Sequence, residues 1–141
     1  MKLETPSFGV LEYQEKAIIH IKEGMLGFAG CKRYILIENE EIVPFKWLQS
    51  VDDQYVSFPV IDPHIVLRNY TSAVTLEDLH NLEIEQEGDV IMLVVAVIPE
   101  NPQNATVNLR APLLINHRRM IGKQVILTNS SYHTHQPLSG N

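Results

Sequence analysis

The stretch Val90-Ile91-Met92-Leu93-Val94-Val95-Ala96-Val97-Ile98, closed by Pro99, decides how the chain folds. Its nine residues form the longest purely apolar run in the sequence, about half of the roughly 20 that a membrane-spanning helix needs. Most of them are β-branched and Pro99 stops the run, so it reads as a strand buried on both faces. Working outward, shorter β-rich runs lie on either side. Thr106–Leu109, Leu113–Asn116 and Gln124–Thr128 follow it, and Arg33–Glu38, Pro44–Ser50 and Tyr55–Ile61 precede it. Phe8–Tyr13 and Ala17–Ile21, separated by Gln14-Glu15-Lys16, read as a hairpin. Pro59 cannot donate to a ladder and is expected at an edge or a bulge.

One helix is expected, from an N-cap at Thr75 with Glu77 and Asp78 in its first turn and Leu76, Leu79 and Leu82 on one stripe. Strands at hairpin spacing, without long helices between them, predict an all-β fold. The expected form is a single-domain antiparallel β-barrel, or a pseudo-barrel or sandwich, with one or two short helices. It spans residues 1–141, with a loose tail from about residue 130. Gly24 and Gly27 are expected to supply positive φ in tight turns, and Trp47 to be a core or seam aromatic. Gln49 and Ser50 should satisfy backbone groups where their strand ends, and Asn108 and Arg110 should pin a bend before Pro112.

The chain has 141 residues and a net charge of −6, from 11 Lys and Arg against 17 Asp and Glu. That balance argues against direct binding of nucleic acid, which needs clustered Lys and Arg. The charges are unevenly placed: residues 69–109 hold seven acids and no Lys or Arg, whereas residues 110–141 hold Arg110, Arg118, Arg119 and Lys123 and no acid. Glu4-Thr5-Pro6-Ser7 after Lys2 is no secretory leader, and a single cysteine, Cys31, fits a reducing cytoplasm. The expectation is a cytoplasmic monomer with no membrane segment. Catalytic signatures are missing: there is no G-x-S-x-G, P-loop, G-x-G-x-x-G or H-E-x-x-H. Asp52, Asp53 and Asp62 sit beside turns, where aspartate is favoured for local hydrogen bonds. The chain therefore reads as no enzyme, with no cofactor.

A set of ordered strings carries more. Gly24–Phe28 (GMLGF), Pro44–Asp53 (PFKWLQSVDD), Phe58–Pro63 (FPVIDP), Thr106–Asn116 (TVNLRAPLLIN) and Gly122–Leu127 (GKQVIL) together resemble the FliW family of flagellar assembly factors, from about Phe8 to Leu138. Two residues depart from the family pattern: Leu26 stands where a proline is usual, and Pro59 interrupts a strand usually free of it.

The resemblance implies a binding protein of bacterial flagellum assembly and translation regulation. Such a protein binds the repressor CsrA, preventing repression of flagellin mRNA, and binds flagellin in a partner-switching feedback with a chaperone-like role. An RNA-binding partner is basic, so Asp52, Asp53, Glu77, Asp78, Glu83, Glu85 and Glu87 are candidates for the CsrA-facing surface. Val51, Tyr55 and Tyr70 are candidates for an apolar flagellin contact. Two alternatives stay open. A small metal-dependent enzyme would use His117, His133 and His135, and a small-ligand-binding β-barrel would use the interior near Trp47.

Overall fold

The apolar run at residues 90–98 is the hinge of the architecture, because its two faces enter two different cores. A computed structural model describes residues 1–70, 74–128 and 130–138 of the chain. In it the run forms β7 (Val90–Val97), the longest strand, paired with β9 (Leu113–Asn116) in the register Ile91↔Ile115, Met92↔Leu114 and Leu93↔Leu113. Leu93, Leu113 and Ile115 point into one core with Ile21, Tyr34, Leu48 and Val60. Val94, Ala96 and Leu114 point the other way, into a second core with Tyr70, Leu82, Leu109 and Leu127. As far as Ala96 both faces of the strand are covered, which is why the run shows no polar alternation, and only Val97 and Ile98 at its end are exposed.

The remaining barrel strands are β3 (Ile19–Ile21), β4 (Arg33–Ile37), β5 (Lys46–Ser50), β6 (Ser57–Ile61) and β10 (Ile121–Gln124). Their order is β7-β6-β5-β4-β3-β10-β9, and the β7–β9 pairing closes the seven strands into a barrel. All neighbours are antiparallel except β3 and β10, which pair in parallel at His20↔Ile121 and Ile21↔Gly122. Closure leaves no free edge along most of the wall. The single α-helix among the described residues, α1 (Pro63–Val66), has Asp62 at its N-cap and Pro63 at the first position, both favoured there.

Several expectations are corrected. No helix follows Thr75. Asp78 Oδ2 accepts from the Thr75 amide and Thr75 Oγ1 from the Asp78 amide, but Asn81 and Glu83 take left-handed φ of 71° and 53°, and the chain turns away. The expected leucine stripe is split: Leu76 is 88% exposed and Leu82 is 2% exposed. The N-terminal hairpin joins β1 (Lys2–Thr5) to β2 (Gly9–Glu12), not Phe8–Tyr13 to Ala17–Ile21. The turn at Thr5–Gly9 forms it, with Thr5 Oγ1 bonded to Gly9 O and the Phe8 amide. Trp47 lies under this hairpin, edge-on to Phe8 at 5.7 Å.

The segment expected to be a loose tail is bound from residue 130 to 138. There β11 (Gln136–Pro137) pairs with β8 (Thr106–Val107), and the Leu138 amide donates to Ala105 O. Tyr132 packs on Tyr70 at 4.7 Å. Residues 139–141 of that expected tail lie outside the described set. The last barrel strand is Ile121–Gln124 rather than Gln124–Thr128, and the chain beyond it stays tied through the Val125 and Leu127 amides to Pro112 O and Arg110 O.

The expected side-chain anchors are in place. Gln49 Nε2 donates to the carbonyls of Ser50, Gln54 and Val56, and Ser50 Oγ accepts from the amides of Asp52 and Asp53. Asn108 Oδ1 accepts from the Arg110 amide. Among the described residues, the Tyr34 hydroxyl is buried in the barrel core without a hydrogen-bond partner. Burial above all, with Cys31 and Asp52 nearby, pushes its pKa up to about 12. An orphaned buried hydroxyl costs about 1–3 kcal/mol. Tyr34→Phe is therefore expected to leave stability unchanged or raise it by up to about 1 kcal/mol, read as the urea midpoint; a clear loss would show that the hydroxyl has a partner.

Candidate functional site

An apolar surface feature grows from the Gly24–Phe28 turn. Gly24 has φ +70°, and a Cβ there would lie 2.5 Å from Phe28 O, so only glycine fits. Gly27, at φ +83°, completes the reversal. The turn buries Met25 and leaves Leu26 half exposed at its tip. Gln124 bridges to it: Oε1 accepts from the Leu26 amide at 2.8 Å and Nε2 donates to Ala111 O at 3.0 Å. Phe28 packs edge-on against Phe58 at 5.2 Å.

Beside this turn the sheet splits. The β6–β7 ladder consists of Val60↔Val95 and Ile61↔Val94; beyond it β7 pairs with β8 through Ala96↔Val107 and Val97↔Thr106. Pro59 sits at the split, where its missing N–H leaves no ladder bond unmade, as expected of an edge position. The parted strands leave a groove of about 190 Å³ with Met25, Phe58 and Val95 in its wall and Leu26 and Val97 at its mouth. Its polar rim is Thr106, Asn108, Gln124 and Thr134, with His135; no Asp, Glu, Lys or Arg lines it. Val97, at the mouth, is 59% exposed. Such a groove suits an apolar side chain of a partner and disfavours a charged one, which would lose its water without gaining a counter-ion.

Of the residues expected to face flagellin, Tyr70 is corrected. It is 4% exposed, its hydroxyl donates to Leu109 O at 2.8 Å, and burial, reinforced by Tyr132, pushes its pKa up to about 12. Tyr55 is 75% exposed and Val51 half-buried, but neither lines the groove. The residues that do line it, Leu26 above all, carried one legible signal: an apolar residue bracketed by glycines at a turn tip has little to bury against.

The acidic candidates separate into two kinds. Asp52 is committed internally: it receives the amides of Lys32 and Arg33 and the Arg33 guanidinium, with Arg33 Nη2 at 2.7 Å. Burial raises its pKa, but these hydrogen bonds and the Arg33 charge outweigh it and hold the carboxyl below its ordinary value. Glu85 faces Arg119 at 3.0 Å and Arg118 at 3.5 Å. Asp53 caps the Tyr55 amide, and Asp78 the Thr75 amide. Glu77, Glu83 and Glu87 are exposed and form no salt bridge among the described residues. Leu76, nearly bare of neighbours, stands next to Glu77.

Asp89 is shielded from solvent, at 1% exposure, and binds Arg118 at 3.1 Å. The Glu85 amide chiefly, together with Arg118 and the Gln86 amide, holds its carboxyl below the ordinary value against desolvation. Both Asp52 and Asp89 thus bind protons less readily folded than unfolded, so the unfolded chain takes up more protons in acid and stability falls as pH drops. The loss is expected to begin near the ordinary carboxylate pKa of about 4. Urea midpoints measured from pH 7 to pH 3 check this: the fall should be shallower in Asp52→Asn and Asp89→Asn. A pH slope identical to that of the unsubstituted chain would contradict it.

The histidines are not drawn together. His117 Nε2 lies 2.7 Å from Gly88 O, the Leu109 amide donates to His133 O, and His135 Nδ1 meets Thr134 Oγ1 at 2.9 Å. No group of three or more His, Cys, Asp or Glu suited to a metal occurs among the described residues. The barrel interior is filled by side chains such as Tyr34, Leu48 and Leu113 at 0% exposure, and Trp47 sits outside it, against the hairpin. No helix among the described residues is long and apolar enough to cross a membrane.

Comparison with known proteins is consistent along the chain. Residues 2–138 match the family model described as FliW protein. A flagellar assembly factor FliW from Thermoanaerobacter pseudethanolicus is 37% identical over 139 residues, 98% of this chain and 93% of the relative. One from Geotalea uraniireducens is 39% identical over 137 residues, 97% of this chain and 83% of the relative. A crystal structure of the flagellar assembly factor FliW superposes with a TM-score of 0.91 at 35% identity, covering 98% of this chain and 96% of that one.

Proposed function

The chain belongs to the FliW family of flagellar assembly factors, and from that premise we propose that it is a cytoplasmic, non-catalytic, monomeric single-domain partner switch. It binds CsrA, relieving repression of flagellin mRNA, and it binds flagellin, which draws it away from CsrA. The uncharged apolar groove beside Leu26 carries this reading: it offers an unfolded or amphipathic flagellin segment a place for an apolar side chain. The carboxylates left unpaired at Glu77, Glu83 and Glu87 offer CsrA a different complement, one of charge. Two surfaces of opposite chemistry let one small protein hold two unlike partners in turn, and switching needs only that full affinity for both is not available at once.

The test is titration with purified CsrA and with monomeric flagellin, separately and in competition. Binding of each, with flagellin releasing CsrA, supports the reading; binding of neither overturns it. Glu77→Lys/Glu83→Lys/Glu87→Lys is expected to slow CsrA association about tenfold at low salt and to flatten its salt dependence, leaving flagellin affinity unchanged. An unaltered association rate across a salt series would remove these residues from the interface. Glu85 is left out of the triple variant because its charge already faces Arg118 and Arg119.

A further inference from the structure

We infer that Gln124 is the positioning residue of the groove: it holds Leu26 over the mouth, so that the groove selects one bulky apolar side chain of flagellin flanked by uncharged residues. This rests on the assignment of the groove to flagellin above. Leu26 is 50% exposed beside an apolar wall, and the hydrophobic effect favours its collapse onto that wall, which would shut the groove. The turn alone does not prevent this. Its internal bonds, Gly24 amide to Ile21 O and Phe28 amide to Met25 O, fix its shape and skip Leu26.

The Leu26 amide is instead held by Gln124 Oε1, from a residue 98 positions away in sequence. Gln124 lies in the β10–β9 ladder opposite Leu113 and ties its other end to Ala111 O. Its amide thus spends both functions, acceptor and donor, as a brace between the turn and the barrel wall. The brace fixes Leu26 as one border of the groove, with Phe58 and Val97 among the others. An apolar cavity of ~150 Å³ accommodates a benzene-sized group, so a groove of about 190 Å³ takes one leucine or phenylalanine side chain. With no Asp, Glu, Lys or Arg in the lining, Lys or Glu at that point of the partner is disfavoured.

The experiment titrates monomeric flagellin onto the full chain and its variants, with thermal midpoints recorded for each. Leu26→Ala is expected to weaken binding roughly tenfold to a hundredfold. Gln124→Ala and Gln124→Met, which retains bulk without the bridge, should each weaken it about tenfold. Gln124→Glu keeps an acceptor for the Leu26 amide but sets a carboxylate against Ala111 O, and should bind no better than Gln124→Met. In a Leu26→Ala background, Gln124→Ala should cost nothing further, because the side chain it positions is gone. Equal losses in both backgrounds would mark Gln124 as merely structural and overturn the inference. So would unchanged binding by Gln124→Met while Leu26→Ala is weakened, with the groove assignment surviving. Wild-type affinity in Leu26→Ala would overturn the groove assignment itself. If Gln124→Ala fails to fold, Gln124→Met replaces it in both backgrounds.

Discussion

Asn116→Ala is expected to lower the free energy of unfolding by about 3 kcal/mol or more, since several buried groups lose their partners at once at about 1–3 kcal/mol each. Asn116 has 0% exposure and ends β9. Its Nδ2 donates to Leu82 O at 2.7 Å and Glu83 O at 3.2 Å, and its Oδ1 accepts from the amides of Arg118 and Arg119 at 3.1 and 3.2 Å. One amide therefore pins the end of the acidic turn to the loop carrying the two arginines that face Glu85 and Asp89. Asn116→Asp keeps the acceptors but sets a carboxylate against two carbonyls, and should be no better. Urea unfolding followed by far-ultraviolet circular dichroism measures both. A loss below about 1 kcal/mol would mean that water replaces all four bonds.

Gly24→Ala should be the other severe substitution, costing at least about 2 kcal/mol. It adds backbone strain at φ +70° to a collision of the new Cβ with Phe28 O and with Ala29 Cα at 2.8 Å. Backbone cannot step aside as a side chain can, so the turn must deform, and Leu26 moves with it. Flagellin affinity should fall more than in Leu26→Ala, since both the tip and the Phe28–Phe58 contact shift. Gly27→Ala is the matched control: its φ is +83°, but a Cβ there meets nothing within 4 Å, so strain alone should cost about 1 kcal/mol. Thermal denaturation of the two variants separates strain from collision, and equal losses would show that the collision is relieved.

Local residue patterns reveal much of this fold. The chain's apolar run became the longest strand, Leu113–Asn116 was bounded to the residue, and Gly24 and Gly27 took positive φ as their setting in a turn suggests. Closure was not legible, because the partner of a strand edge is a property of distant register: nothing near His20 announces that it will lie beside Ile121. The helix expected at Thr75 shows local pattern overruled, since its cap forms yet the following residues bend to bury Leu82 and leave Leu76 in water. The helix that does form starts at Asp62-Pro63, where none was expected. The groove was least legible: the Gly24–Phe28, Phe58–Pro63, Thr106–Asn116 and Gly122–Leu127 strings each lend it a border, but nothing in them shows that they meet one another and the segment at Thr134. Acidic composition also overstated the free charge, because Arg118 and Arg119 fold back onto Glu85 and Asp89.

The parallel pairing of β3 with β10 has a consequence in time. β3 is finished by residue 21, and the strand that covers its open edge starts at residue 121. At about 5–20 residues per second, synthesis leaves that edge unpaired for roughly 5–20 s. A contact so distant in sequence also makes closure a late, slow event in refolding. Through that interval the growing chain is an open curl whose exposed edge can be extended by another strand. The last ladder to form thus ends the period in which the molecule is vulnerable to association with its own kind.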